Sequence, residues 1–361
     1  MRIRKIIPEN LALLDSLRGL TACYVLVTHA LLFLGGNEPS VYLQTLRVLF
    51  RFAHEAVLFF FVLSGFVIHW STDTRFAREG TFSALAYIRR RVRRIYPPLV
   101  IALGFTFLLD QWGMYLKFPI YTAQTPYPAL NELTNPDYRL STLAGNLLFV
   151  QNVYTPIWGT NGPLWSLMYE WWFYLLYIPV YGLFRKNKLL TSSFVLLLWV
   201  LNREFPFKPA LLTIVLDYFI TWYLGVLLAD CLRSKDLNPA AGILYLGMLL
   251  ILSLTRYISS IGSDVAVAVG ITLMLYLLLT SRQWVGLVKL RKLGAFSYTL
   301  YLIHVPILCF LSGLMLAQGV PVVICLLLGL GISLGLGWLF HFVTEKPFAP
   351  PKTRASVSSK A

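Results

Sequence analysis

The chain has 361 residues, of which 57% are hydrophobic and only 13% charged, and it carries a net charge of +15. Soluble domains carry about 25% charged residues, so this composition excludes an ordinary water-soluble enzyme, a disordered tail and a secreted disulfide scaffold. Apolar stretches of about 17 residues or more can cross roughly 30 Å of hydrocarbon as helix, and the chain reads as an all-α polytopic membrane protein.

In chain order the apolar segments number about ten, at approximately 12–34, 54–72, 94–112, 163–184, 189–203, 213–232, 239–256, 263–280, 297–316 and 320–342. The fifth is short and could be tilted or partly re-entrant. Ten crossings bring both termini to one side, and that side then holds 23 of the 31 Lys and Arg against 7 on the other. The positive-inside rule makes the termini cytoplasmic and the location the inner (plasma) membrane. Topology therefore accounts for the excess charge, and no nucleic-acid partner is called for. The first segment follows Arg2, Arg4 and Lys5 like a signal peptide, but it contains Arg18 and His29 and lacks a small-residue cleavage site. Cys23, Cys231, Cys309 and Cys325 lie in or at the ends of apolar segments without CxxC spacing, so neither a disulfide nor a metal site is expected. Residues 1–345 read as a single membrane domain, and 346–361 as a short disordered cytoplasmic tail.

Polar groups at membrane depth are costly and need a reason. Arg18 and His29 are eleven residues apart on the first span, within ~20° of one face and ~16 Å apart along the axis. Each taken alone reads as easily as a snorkelling cation or a packing residue. Arg89-Arg90-Arg91-Val92-Arg93-Arg94 lies at the cytoplasmic boundary, where a basic cluster contacts membrane lipid headgroups. Arg91 and Arg94 also share a helical face and suit the phosphates of a cytosolic donor. Residues 113–162 form a long exterior loop rich in Pro, Tyr, Asn and Thr, suited to a sugar acceptor or equally to an interfacial aromatic belt. Glu170 lies about as far from the outer end of the fourth span as His29 does from that of the first. A carboxylate beside an imidazole would make a general base for a sugar hydroxyl. Ser297, Tyr301 and His304 share one stripe of the ninth span, with His304 in the inner half, away from the depth of His29, as a lining or structural residue.

Several segments together resemble the membrane acyltransferase-3 family. They are Leu14-Asp15-Ser16-Leu17-Arg18-Gly19 leading to His29, Phe60-Phe61-Val62-Leu63-Ser64-Gly65-Phe66, and Arg91 and Arg94 before Ile95-Tyr96-Pro97. Gly145-Asn146 to Gln151-Asn152, Trp165-Ser166-Leu167 with Glu170 and Phe173-Tyr174, the run from Ser297-Tyr298 to His304, and Glu345-Lys346-Pro347 continue the pattern. The resemblance covers nearly the whole chain, in order. It implies about ten membrane helices and transfer of an acyl group, acetyl above others, to an extracytoplasmic glycan. It makes His29 catalytic with Glu170, assigns Arg18, Arg91 and Arg94 to the acyl-CoA co-substrate, and points to Asp15, Trp165, Ser166, Tyr301 and His304 for substrate binding. No metal is implied. Trp171 and Trp172 depart from the pattern, standing where many relatives carry Glu or Gln after the acid, which implies a different acceptor if that polar group selects it. Without a following esterase domain, onward transfer to a distant polymer would need a partner acyltransferase or a second copy of the chain.

The mechanism these readings favour holds acyl-CoA by its phosphates at Arg91 and Arg94, with the pantetheine arm passing Arg18. His29 then deprotonates a hydroxyl of a glycan or lipid-linked sugar. An acyl-histidine intermediate is the other route. The competing function is a secondary transporter or flippase for a lipid-linked sugar, which membrane Arg, His and Glu would also suit, although no matched pair of broken helices stands out in two halves.

Overall fold

The computed structural model describes residues 10–35, 40–127, 130–131, 136–206, 209–233, 260–281 and 284–348. Among them the regular structure is helical, with two isolated bridges, Asp137 to Trp158 and Gln151 to Thr155. In lipid a backbone must satisfy its own polar groups, which long apolar runs achieve as helix. The helices are α1 (Leu11–Phe33), α2 (Val41–Leu49), α3 (Ala53–Glu79), α4 (Ala84–Tyr115), α5 (Leu140–Leu147), α6 (Leu164–Lys186), α7 (Lys188–Glu204) and α8 (Ala210–Arg233). They continue with α9 (Ser260–Thr280), the short α10 (Val285–Val288) and α11 (Arg291–Ala295), α12 (Ser297–Gln318) and α13 (Val322–Thr344). Among the described residues, seven helical stretches are long and apolar enough to cross a membrane: α1, α2 with α3, α4, α8, α9, α12 and α13. α6 and the 17-residue α7 fill the fourth and fifth expected segments without joining that set. The expected segment at 239–256 lies outside the described residues.

Small residues set how closely the helices approach, because lipid offers no hydrophobic drive between them. At the crossing of α3 and α8, a Cβ on Gly65 would stand 2.0 Å from the Trp222 carbonyl oxygen, and one on Gly225 would stand 1.9 Å from that of Val62. Both backbones are in contact there. Gly225→Val is therefore expected to push the two helices apart and prevent recovery of folded protein. A variant eluting from detergent as a single species at the wild-type level would refute this.

At one end of the bundle, Asp73 of α3 accepts from Arg233 of α8 at 2.8 Å and faces Arg185 of α6 at 3.7 Å. Lys188 donates to Asp230 at 2.8 Å beside them. On the other flank, α12 is tied to α1 through Arg18, whose Nε donates to Ser297 Oγ at 3.0 Å and Nη2 to the Gly294 carbonyl at 2.6 Å. The first residue of α12 thus lies two turns into α1. α12 and α13 meet where Glu345 accepts from the Thr299 backbone at 3.0 Å and its hydroxyl at 2.6 Å.

The described residues of 113–162 do not stand clear of the bundle as an exterior loop would. They descend along α4. Asp110, fully buried, accepts from Tyr138 at 2.7 Å and from the Thr160 backbone and hydroxyl at 2.9 and 2.8 Å. One step deeper, Asn161 donates to Thr106 at 3.0 Å and Trp158 to the Leu103 carbonyl at 3.0 Å. Deeper still, Tyr96 donates to the Leu147 carbonyl at 3.0 Å. From Asp110 to Tyr96 is ~21 Å of helix, so α5 and its flanks are re-entrant. Irregular backbone survives at such depth only where protein satisfies it. Asn146 does so by donating to the Pro156 carbonyl at 3.0 Å and accepting from Trp158 N, while Gln151 donates to the Leu164 carbonyl at 2.8 Å. Trp172 donates to the Phe149 carbonyl at 2.8 Å, and Trp171 stacks on the Phe149 ring at 4.9 Å. The two tryptophans therefore clamp the tip of the re-entrant segment. Gly159, at φ +58°, makes the turn against Asp110, where a Cβ would stand 2.5 Å from the carboxylate. Outside the spans, Asp137 is held down at about 2 by its hydrogen bonds from the Arg139 side chain and backbone and from Thr142.

Candidate functional site

An open cavity with about 820 Å³ of empty space lies among α1, α3, α4, α6 and α12. α3 contributes an apolar wall that includes Val57, Phe60, Phe61 and Ile68, and the facing wall is polar. That wall carries three arginines, Arg18, Arg91 and Arg94, and one carboxylate, Glu170. The cavity is thus electropositive and selects for an anion.

Arg91 and Arg94 keep their hydrogen-bonding capacity. Arg91 Nε has no partner, and its guanidinium lies over the rings of Tyr87 and Tyr174 at 5.5 and 5.6 Å. Arg94 is accessible where it lines the cavity. Arg18 differs: its bonds to Ser297 and Gly294 and its 3.2 Å pair with Asp15 make it as much a tie between α1 and α12 as a ligand group. Asp15 is exposed and stands outside the cavity lining, holding Arg18.

Glu170 is oriented by Ser64 Oγ, which donates to it at 3.1 Å, and by the Tyr174 hydroxyl. Trp222 Nε1 donates to Ser64 in turn at 3.2 Å. Glu170 belongs to the arginine cavity and not to His29, which corrects the expected pairing. Similar depth for the two residues requires α6 to start at the outer surface. In the structure the Asn161 amide donates to the Leu302 carbonyl at 2.8 Å and Ser166 bonds Tyr301 at 2.7 Å, so α6 begins within the bundle.

His29 has a different partner. Its Nδ1 lies 2.8 Å from His304 Nε2, and the rings are 5.0 Å apart. His304 is thus at the depth of His29, contrary to the inner-half expectation, because α12 starts beside Arg18 and not at the membrane boundary. His304 Nδ1 faces the Leu300 carbonyl at 3.2 Å. A carbonyl only accepts, so that nitrogen carries the proton and His304 Nε2 accepts from His29 Nδ1–H. The lone pair of His29 is left on Nε2, which has no hydrogen-bond partner and is absent from the fully buried unpaired atoms. Among the described residues neither ring has a carboxylate partner, so a standing charge on this pair would be uncompensated.

Neither histidine lines the cavity itself. Tyr301 connects the two, lining the cavity with its ring 5.8 Å from His304 and 5.8 Å from Phe60. Ser166 lines the cavity, whereas Trp165 does not, and its ring is parallel to that of His54 at 6.2 Å. Of the expected residues, the structure gathers Arg18, Arg91, Arg94, Ser166, Glu170 and Tyr301 at one cavity and pairs His29 with His304. Ser64, Tyr174, Ser297 and Tyr298 also line the cavity; each stood in a segment that resembles the family, but none was singled out as a site residue. Among the described residues no group of three or more metal-ligating side chains occurs.

A family model described as an acyltransferase domain matches residues 11–342 of the chain. Protein 2 in the picA locus of Rhizobium radiobacter is 30% identical over 169 residues, a stretch covering 45% of this chain and 78% of that relative. No solved structure matches.

Proposed function

Since the chain belongs to the membrane acyltransferase-3 family, whose model spans residues 11–342, we propose that it carries an acyl group, acetyl above others, from cytoplasmic acyl-CoA to a hydroxyl of an extracytoplasmic glycan or glycolipid. The observation that carries this reading is the pairing of an electropositive, water-accessible cavity with a histidine pair one turn beyond it on α12. The donor phosphates bind Arg91 and Arg94 as forked, charge-assisted contacts. The pantetheine arm runs along the α3 wall past Arg18 towards Tyr301. His29 Nε2 then takes the acceptor's hydroxyl proton as the oxygen attacks the thioester carbon. The C–S bond breaks, and the leaving thiolate recovers the proton from the imidazolium. CoA never crosses the membrane. Residues 1–345 act as one membrane unit with both termini cytoplasmic, in the inner membrane.

The test is mass spectrometry of envelope and secreted glycans from cells lacking the gene and cells with it restored, alongside acyl-CoA consumption by the purified protein. The reading expects an acyl mass that depends on the gene and on acyl-CoA. A transporter would neither bind nor consume acyl-CoA, and that outcome would sink the proposal.

His304 holds the His29 tautomer and stabilises the charge that forms on it. His304→Leu, which offers no acceptor, is expected to lower kcat about 10- to 100-fold with the acyl-CoA KM unchanged. His304→Gln, whose carbonyl can accept from His29 Nδ1, recovers most of the rate. Equal losses in both variants would show that His304 only packs.

A further inference from the structure

The α3 stripe that lines the cavity, Ile68, Ser64, Phe61 and Val57, continues outward by one more turn to His54. His54 Nε2 lies 3.0 Å from Asp264 Oδ2 on α9, and 44% of its side chain is exposed. Asp264 is buried, and a carboxylate at that depth needs a reason. The Trp165 ring is parallel to the His54 ring, with 9° between the planes, and Tyr218 of α8 presents an edge to it at 6.4 Å. Trp165 directly precedes Ser166, which lines the cavity. His54 is thus one turn from Val57 and Trp165 one residue from Ser166, both of which line the cavity, at the end of α3 opposite the one where Asp73 gathers Arg185 and Arg233.

The chemistry of this cluster is specific. Asp264 accepts at His54 Nε2, which leaves Nδ1 as the hydrogen-bonding group of a half-exposed ring. With Asp264 against the ring and Glu55 next to His54 in the chain, an anionic ligand is disfavoured. A ring bearing neutral hydroxyls on its edge and C–H bonds on its face fits the imidazole nitrogen and the aromatic surface together. We propose that His54, Asp264 and Trp165 form the acceptor-side binding site for a neutral sugar ring at the outer mouth of the cavity. This assignment takes from the acyl-transfer reading only the use to which the bound sugar is put.

The experiment uses the full chain in lipid nanodiscs and, as probe, the polysaccharide purified from cells lacking the gene, with no acyl donor present. Binding is measured by calorimetry for wild type, Trp165→Ala, His54→Ala and His54→Gln, and CoA affinity serves as the check on fold. The expected result is a weakening of about tenfold or more for the two alanine variants, with unchanged CoA affinity and near-wild-type binding for His54→Gln. On the unmutated protein, bound polysaccharide should shield His54 from acylation by diethyl pyrocarbonate, read by peptide mass spectrometry. The proposal is overturned if the wild type binds no polysaccharide, if the alanine variants bind as well as wild type, or if His54 is modified equally with and without it. If polysaccharide binds at His54 but receives no acyl group from acyl-CoA, the acyl-transfer reading fails and the sugar site stands.

Discussion

His29→Ala is expected to lower acyl transfer by about 10²- to 10⁴-fold, the usual contribution of a general base, while the amount of folded protein in the membrane stays at the wild-type level. The kinetic loss follows from the bonding of the pair. The lone pair on Nε2 is the group His304 leaves available, and no carboxylate among the described residues can take over the proton at that position. The fold should tolerate the change because His29 is only half-buried, and what it leaves behind is His304 Nε2, a neutral acceptor that water can satisfy. Acyl-CoA affinity should also be unchanged, since His29 stands outside the cavity lining that holds the arginines. Glycan acylation and membrane abundance are measured in the same cells. Full acylation by the alanine variant would remove His29 from the chemistry.

Arg91→Ala combined with Arg94→Ala is expected to raise the acyl-CoA KM by two orders of magnitude or more. Each charge-assisted bond to a phosphate is worth about 1.5–3 kcal/mol, or roughly 10- to 100-fold per arginine. Both guanidiniums face the cavity without an ion-pair partner among the described residues, so their removal breaks no salt bridge there. Single Arg→Lys changes should give intermediate KM values, because an ammonium keeps the charge but loses the planar fork. At saturating donor kcat should fall little, since neither arginine touches the reacting carbon in this arrangement. A KM that does not move, or a loss confined to kcat, would mean that the donor docks elsewhere. The KM of the wild type should also rise with ionic strength, and that dependence should flatten in the double variant.

The two tryptophans at 171 and 172 show how a departure from a family pattern is read differently once the fold is known. In the sequence they stand where relatives carry a polar group, which suggests a changed acceptor. In the structure they hold Phe149 at the tip of the re-entrant segment. The proposed sugar site rests instead on His54 and Asp264, which no sequence motif singled out. They lie on helices 210 residues apart, and only packing makes them a pair.

Three kinds of information were legible in the residues alone. Hydropathy marked the helices, because the cost of an unsatisfied backbone in lipid is local and every apolar run must answer it. The basic residues marked a consistent side, since charge resists transfer across the bilayer wherever the chain folds. The spacing of Arg18 and His29, and of Arg91 and Arg94, assigned faces, because the helical period is a constant. What the tertiary structure alone decided is depth and partnership. α12 begins at Ser297 beside Arg18, and α6 begins beside Leu302, so counting from presumed membrane boundaries misplaced His304 and Glu170. The relative shift of two helices is set by glycine contacts, side-chain ties and the re-entrant segment between them. These are long-range interactions that no single helix encodes, and they put Glu170 in the cavity the arginines line, His304 against His29 and Asp264 against His54.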